Sequence, residues 1–208
     1  CDTQSIGSGG GSVARVVAAG LLRVGPESAG AHPGPACYGR GGVLPTTTDA
    51  HVVLGRIDPF RFLGGEMPLD KDAAEKAIRE HIAGPLGISV EEAALGILDV
   101  ADAIMARGVR VVSVNRGYDP RDFTLVPFGG AGPMHALSVG ALVDAGAVVV
   151  PVNPGTFSAV GLAASQLKYD FGTMVDRDIS AVTAAWLESI FENLIRRATE
   201  HLDAISGV

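Results

Sequence analysis

Leu125-Val126-Pro127-Phe128-Gly129-Gly130-Ala131-Gly132-Pro133-Met134-His135 is the stretch on which the fold turns. Its apolar start, Phe123 to Phe128, reads as a buried strand, and Pro133 suits the first turn of a helix running to about Ala145, where Gly146 stops it. Between them lie residues with almost no side chain. Main chain can approach a ligand closely at such a turn, and free N–H groups at a helix start offer the positive end of the helix dipole. The pattern is neither a P-loop, lacking Gly-Lys-Ser/Thr, nor the GxGxxG fingerprint. A bare strand-to-helix turn with no ligand is the plainer alternative. His135, on the first helical turn, either meets a phosphate or faces solvent.

Downstream, Ala147 to Val152 is β-branched and bounded by Gly146 and Asn153-Pro154-Gly155, the pattern of a second buried strand. Ser158 to Leu167 reads as a short helix. From near Ser180, the spacing of Leu187, Phe191, Leu194, Ala198, Leu202 and Ile205 marks a long amphipathic helix. Upstream, Ser89-Val90-Glu91-Glu92 is a capping box. It opens a helix whose core face carries Leu95, Leu98, Ala101, Met105, Val109 and Val112. Asp70 caps a helix to about Ile82 that Gly84-Pro85 ends. Strands alternating with helices predict an α/β layer architecture.

At the start of the chain, Asp2 to Ile6 reads as a strand entering Gly7-Ser8-Gly9-Gly10-Gly11-Ser12, followed by a helix from Val13 to Ala19 ended by Gly20. That would be a second strand, glycine turn and helix, with Gly9, Gly10, Gly11 and Ser12 as an anion-binding nest. The acidic residue that a dinucleotide site places on a second strand has no counterpart, because Glu27 lies among prolines and glycines. Residues 23–59 are rich in turn chemistry, closing with the short apolar segment Asp49 to Leu54. A loop of that length is functional or an interface. It gathers His32, Cys37, Tyr38, Arg40, Asp49 and His51. Cys37 with a histidine base, or Asp49, His51 and His32 around a metal, are the sharp readings. Packing for Cys37 and capping for Asp49 are the plainer ones. His81 and His201, on helices, carry no assigned role.

The composition sets bounds. With 208 residues, 47% of them hydrophobic, the chain can bury a core, and its 28 glycines cluster in loops without a fixed period. A net charge of -7 supplies no basic field for a nucleic acid. Two cysteines without metal-type spacing give neither a disulfide framework nor a zinc site, which fits a reducing cytoplasm, and no apolar run is long enough to span a bilayer. The chain begins with Cys1 in what reads as the end of a strand, as expected of a segment with structure upstream.

Six segments, in order, resemble the hydantoinase A / 5-oxoprolinase family, which includes acetone and acetophenone carboxylase subunits. They are Ser5 to Ser12, Arg23 to Gly30, Pro33 to Gly39, Thr48 to Ala50, Ser113 to Phe123 and Phe128 to Pro133. The resemblance covers about residues 2–170 and leaves the last helix uninformative. It implies part of an actin-like / Hsp70-like (ribonuclease H-like) ATPase lobe over residues 1–175, with residues 176–208 a C-terminal helix leading to or packing on a further region. By that likeness Gly129, Gly130, Ala131, Gly132 and Pro133 form the adenosine-side turn. Ser158 to Ala164 is the connecting helix, and Gly9 to Ser12 lies near the phosphates. His135 and Asp49 are candidate substrate or phosphate contacts, and His51 stands where asparagine is expected, which weakens a metal site there.

The implied chemistry uses ATP and Mg2+ to activate the carbonyl of a hydantoin-like or 5-oxoproline-like ring for opening by water. A ketone carboxylase of the same family and a non-catalytic lobe are the alternatives. The implied partners are the remainder of the polypeptide and a hydantoinase B-type subunit or domain. The family's Asp-Gly-Gly-Thr phosphate hairpins are absent here, so these residues alone are expected to bind nucleotide poorly.

Overall fold

A computed structural model describes residues 4–166 and 168–206. They form two compact units, Cys1–Gly161 and Leu162–Val208.

The first unit begins with an antiparallel hairpin, β1 (Ser12–Val17) and β2 (Leu21–Ser28), in which Ala14 faces Val24 and Val17 faces Leu21. This overturns the helix expected from Val13 to Ala19. The alanines suggested helix, but Val16 and Val17 are β-branched and find ladder partners across a turn in which Ala19 and Gly20 take φ of 65° and 71°, while Val13 bridges to Thr46. Of the strand expected over Asp2 to Ile6, residues 1–3 lie outside the described residues and Gln4 to Ile6 are irregular.

Next comes α1 (Thr47–Val53), where Asp49 was expected to stand just before a short apolar strand; Thr46 and Asp49 form a reciprocal capping box at its head. Then α2 (Lys71–Ile78), capped by Asp70, continues through a π turn, Arg79–Ala83, into the short α3 (Gly84–Leu86). The long α4 (Val90–Val112) starts at the Ser89/Glu92 capping box. Its buried face is Ala93, Ala94, Ile97, Leu98, Ala101, Asp102 and Ala106, rotated from the expected stripe, so that Leu95 is 43% exposed. The small alanines let α1, α2 and the hairpin close on α4, and Ala50, Ala74, Ile78, Ile82 and Ile97 form the main core.

The rest of this unit is built on the C-terminal half of α4. The strand β3 (Thr124–Leu125), the helix α5 (Gly132–Leu142) and the strand β4 (Ala147–Val148) make a parallel βαβ unit, with Thr124 beside Ala147 and Leu125 beside Val148. A second small core joins Ala106, Val139 and Val143 to Met105, Val109 and Leu125. Arg110 of α4 donates to the Leu142 carbonyl, a cation placed at the negative end of α5. Both strands are shorter than expected. Each has two residues in the ladder, and Phe123, Val126, Phe128, Val149 and Val150 are exposed, with Val152 96% exposed.

The helix α6 (Phe157–Ala164) follows, shorter than the expected Ser158 to Leu167, whose last residue lies outside the described ones. The second unit holds α7 (Ala184–Ser206). Leu187, Phe191 and Leu202 of its expected stripe are exposed. In this unit the His201 ring lies edge-on to Tyr169, 4.4 Å between centroids. Among the described residues, no helix is long and apolar enough to cross a membrane.

Candidate functional site

The carboxyl ends of parallel strands are where loops of α/β folds hold ligands. Here the chain leaving β3 enters the expected glycine turn. Gly129 takes φ of 86° and donates its N–H to the Pro154 carbonyl at 2.8 Å, tying the turn after β3 to the turn after β4. Ala131 is the N-cap of α5, no side chain caps the helix, and Pro133 occupies its first turn. A Cβ placed on Gly129, Gly130 or Gly155 would meet no atom within 4 Å, so this main chain borders open space. The rings of Phe128 and Phe157 stand 5.6 Å apart beside it. No charged side chain occurs from Val126 to Leu142.

The first glycine run is a different object. It leads into β1, so no helix dipole stands behind it. The Thr47 hydroxyl lies 2.6 Å and 2.7 Å from the carbonyls of Gly9 and Gly10, and the Thr48 N–H and hydroxyl both donate to Gly10. Gly9 donates to the Ser12 hydroxyl. A Cβ on Gly10 would sit 2.9 Å from the Thr48 hydroxyl, and one on Gly11 2.7 Å from that of Ser28. These glycines allow the loop to close on the head of α1. Among the described residues, no hydrogen bond joins the two glycine stretches.

Asp49 and His135, the two candidate contacts, are both buried. The Asp49 carboxylate accepts from the N–H groups of Cys37 (2.7 Å), Thr46 (2.8 Å) and Ala36 (3.3 Å) and from the Thr46 hydroxyl (2.8 Å). It caps α1 and pins the turn-rich loop to that helix. Burial first, and the Asp49 charge second, push the Cys37 thiol up and away from thiolate chemistry. His32 is exposed, and among the described residues no group of three or more His, Cys, Asp or Glu side chains is arranged to hold a metal ion.

His135 is buried and does not face solvent. Its Nδ1 lies 2.5 Å from an Asp102 carboxylate oxygen and its Nε2 lies 3.2 Å from Nε2 of His51. The two rings are edge to face, 4.8 Å between centroids. Burial, then the neighbouring His135 and Arg56, push the His51 pKa down to about 4, which keeps that imidazole neutral. Its Nδ1 is buried without a hydrogen-bond partner among the described residues. Sequence reasoning passed over Asp102. The available signal was an acid four residues after Leu98, on the apolar face of α4.

Comparison with known proteins places this geometry. The chain is 47% identical to the caprolactamase subunit alpha of Pseudomonas jessenii over 167 residues, 80% of this chain and 24% of that protein. It is 52% identical to the acetophenone carboxylase gamma subunit of Aromatoleum aromaticum over 160 residues, 76% of this chain and 22% of that protein. The crystal structure of the ATP-dependent caprolactamase from Pseudomonas jessenii superposes with a TM-score of 0.75 at 42% identity, covering 96% of this chain and 29% of that one. The chain thus spans less than a third of each of these relatives. The Hydantoinase/oxoprolinase family model matches residues 1–171, and the chain, carrying the open turn at Gly129–Gly132, belongs to that family.

Proposed function

We propose that this chain contributes the adenosine side of the nucleotide site in an ATP-dependent enzyme that opens hydantoin-like, 5-oxoproline-like or other lactam rings. The observation that carries the reading is the open, uncapped turn at Gly129–Gly132 on the carboxyl end of β3, with Gly130 bordering free space. Gly129, Gly130, Ala131, Gly132 and Pro133 would bring main chain against the nucleoside. Phe128 and Phe157 offer aromatic faces beside it, and the absence of charge from Val126 to Leu142 suits a base and sugar better than a triphosphate. ATP, when bound, supplies the phosphoryl group that turns a resonance-stabilised amide carbonyl into an electrophile. Mg2+ would travel with the phosphates and be held by groups elsewhere in the enzyme, since the open turn carries no acid. Gly9 to Ser12 would act through α1 as a support for the phosphate side and not as an anion nest.

The actin-like lobe is part of the same proposal, supported by the βαβ unit with its glycine turn at a strand's carboxyl end. So are a hydantoinase B-type partner, in keeping with the subunit names of the relatives, and a cytoplasmic setting, in keeping with the free Cys37 thiol. A ketone carboxylase is the second reading, favoured by the 52% identity to an acetophenone carboxylase subunit. ATP hydrolysis by the polypeptide that carries this chain, with its partner, decides between them. Stimulation by a lactam, hydantoin or 5-oxoproline supports the first reading. Stimulation only by a ketone with bicarbonate replaces it with the second.

A further inference from the structure

Three helices meet at one buried polar point. Asp102 of α4, His135 of α5 and His51 of α1 are 3%, 1% and 0% exposed. Leucines would fill this space without desolvating polar groups, so three polar side chains here must return something other than burial. What they return is direction. A hydrogen bond between two imidazoles exists at one mutual orientation, whereas apolar side chains tolerate sliding and rotation.

The proton positions follow from accounting. His135 Nδ1 donates to the Asp102 carboxylate, which leaves its Nε2 as an acceptor. His51 Nε2–H then donates to His135 Nε2, and His51 Nδ1 keeps a bare lone pair. The reverse arrangement would strand a buried N–H at His51 Nδ1, and orphaned donors are rarer than orphaned acceptors. The chain therefore has a polarity, from His51 through His135 to Asp102.

Its two histidines lead to the two glycine stretches. The head of α1, Thr47 and Thr48, holds the carbonyls of Gly9 and Gly10, and His51 lies one turn further along that helix. His135 lies one turn inside α5, directly behind the open turn at Gly129–Gly132. Each of α1 and α5 packs extensively on α4 and scarcely on the other. We propose that the His51–His135 hydrogen bond is a positioning device that couples the Gly9–Gly10 loop, through α1, to the Gly129–Gly132 turn, through α5. His51 and His135 are positioning residues, with Asp102 fixing the tautomer of His135. The structural coupling stands on this geometry alone, and its effect on ligand affinity rests on the nucleotide reading above.

The test uses the intact polypeptide that carries this chain and three variants, read by hydrogen exchange in peptides covering residues 7–12 and 126–135 and by calorimetry with Mg-ADP. His51→Leu keeps bulk without a donor; His51→Gln keeps an N–H near the Nε2 position. His51→Leu is expected to speed exchange in both peptides, and to weaken Mg-ADP, by about tenfold, with His51→Gln within about threefold of the parent. Unchanged exchange in His51→Leu, or equal effects of the two variants, overturns the coupling. Should His51→Leu not fold, Asp102→Asn perturbs the chain from its other end. Faster exchange in both peptides supports the coupling and unchanged exchange overturns it. If exchange responds but the parent binds no Mg-ADP, the nucleotide reading fails and the coupling stands. If the parent binds Mg-ADP and exchange does not respond, the coupling fails and the nucleotide reading stands.

Discussion

Lowering the pH from 7.5 to 4.5 should destabilise the fold through His51, by an amount set by its surroundings. The folded imidazole has its pKa pushed from 6.5 to about 4, while in the unfolded chain it returns to the ordinary value. Below pH 6.5 the unfolded state therefore binds more protons than the folded one, so stability is full above that pH and falls as pH drops towards 4. Integrating between the two values gives a loss of about 1.4 kcal/mol by pH 5.5 and about 2.5 kcal/mol by pH 4.5. Asp119, held at about 2 by hydrogen bonds from Arg121, titrates below this window. The assay is urea unfolding at half-unit pH steps for the parent chain and His51→Gln, whose amide does not titrate. Relative to His51→Gln, the parent should lose about 2.5 kcal/mol between pH 7.5 and 4.5. Parallel curves, or a His51 ring that titrates near 6.5 in NMR spectra, would refute the reasoning.

Three further outcomes follow from contacts already described. Asp49→Ala leaves the N–H groups of Ala36, Cys37 and Thr46 without their acceptor and should cost about 3 kcal/mol. Cys37, mapped by peptide after thiol labelling under native conditions, should change from protected to reactive, and continued protection would show the loop has another anchor. Ser89→Ala removes the hydroxyl that caps α4 and should cost about 1 kcal/mol in chemical denaturation. Gly140→Ala places a Cβ 2.5 Å from the Val148 side chain and should cost about 1–3 kcal/mol by pushing α5 away from β4; a thermal midpoint equal to the parent's would show that Val148 yields freely.

What the sequence disclosed was decided by whether the deciding contact is local. The Ser89 box, the Asp70 cap and the Pro133 start of α5 are written within a few residues, and each was legible. The hairpin was not, because Ser12 to Val17 becomes a strand only when Leu21 to Ser28 pairs with it, and Gly25-Pro26 in the partner hides its strand character. The head of α1 was missed for a narrower reason: its box uses Asp49 in place of the usual Glu or Gln. The open turn at Gly129–Gly132 and the filled run at Gly9–Ser12 look alike as text. They differ through Thr47, Thr48 and Ser28, which are distant in sequence or on another element. His135 was left between phosphate and solvent, and only the packing of three helices brings it to Asp102 and His51 instead.

The central claim is that the main chain around Gly130 faces a nucleoside. Gly130 has free space where a side chain would go, so Gly130→Trp should fill the turn while leaving the fold intact. Calorimetry with Mg-ADP on the intact polypeptide should then give clear binding for the parent and at least about a hundredfold weaker binding for a variant with the same melting midpoint, a loss of roughly 2.7 kcal/mol. Equal affinity in the two proteins would contradict the account.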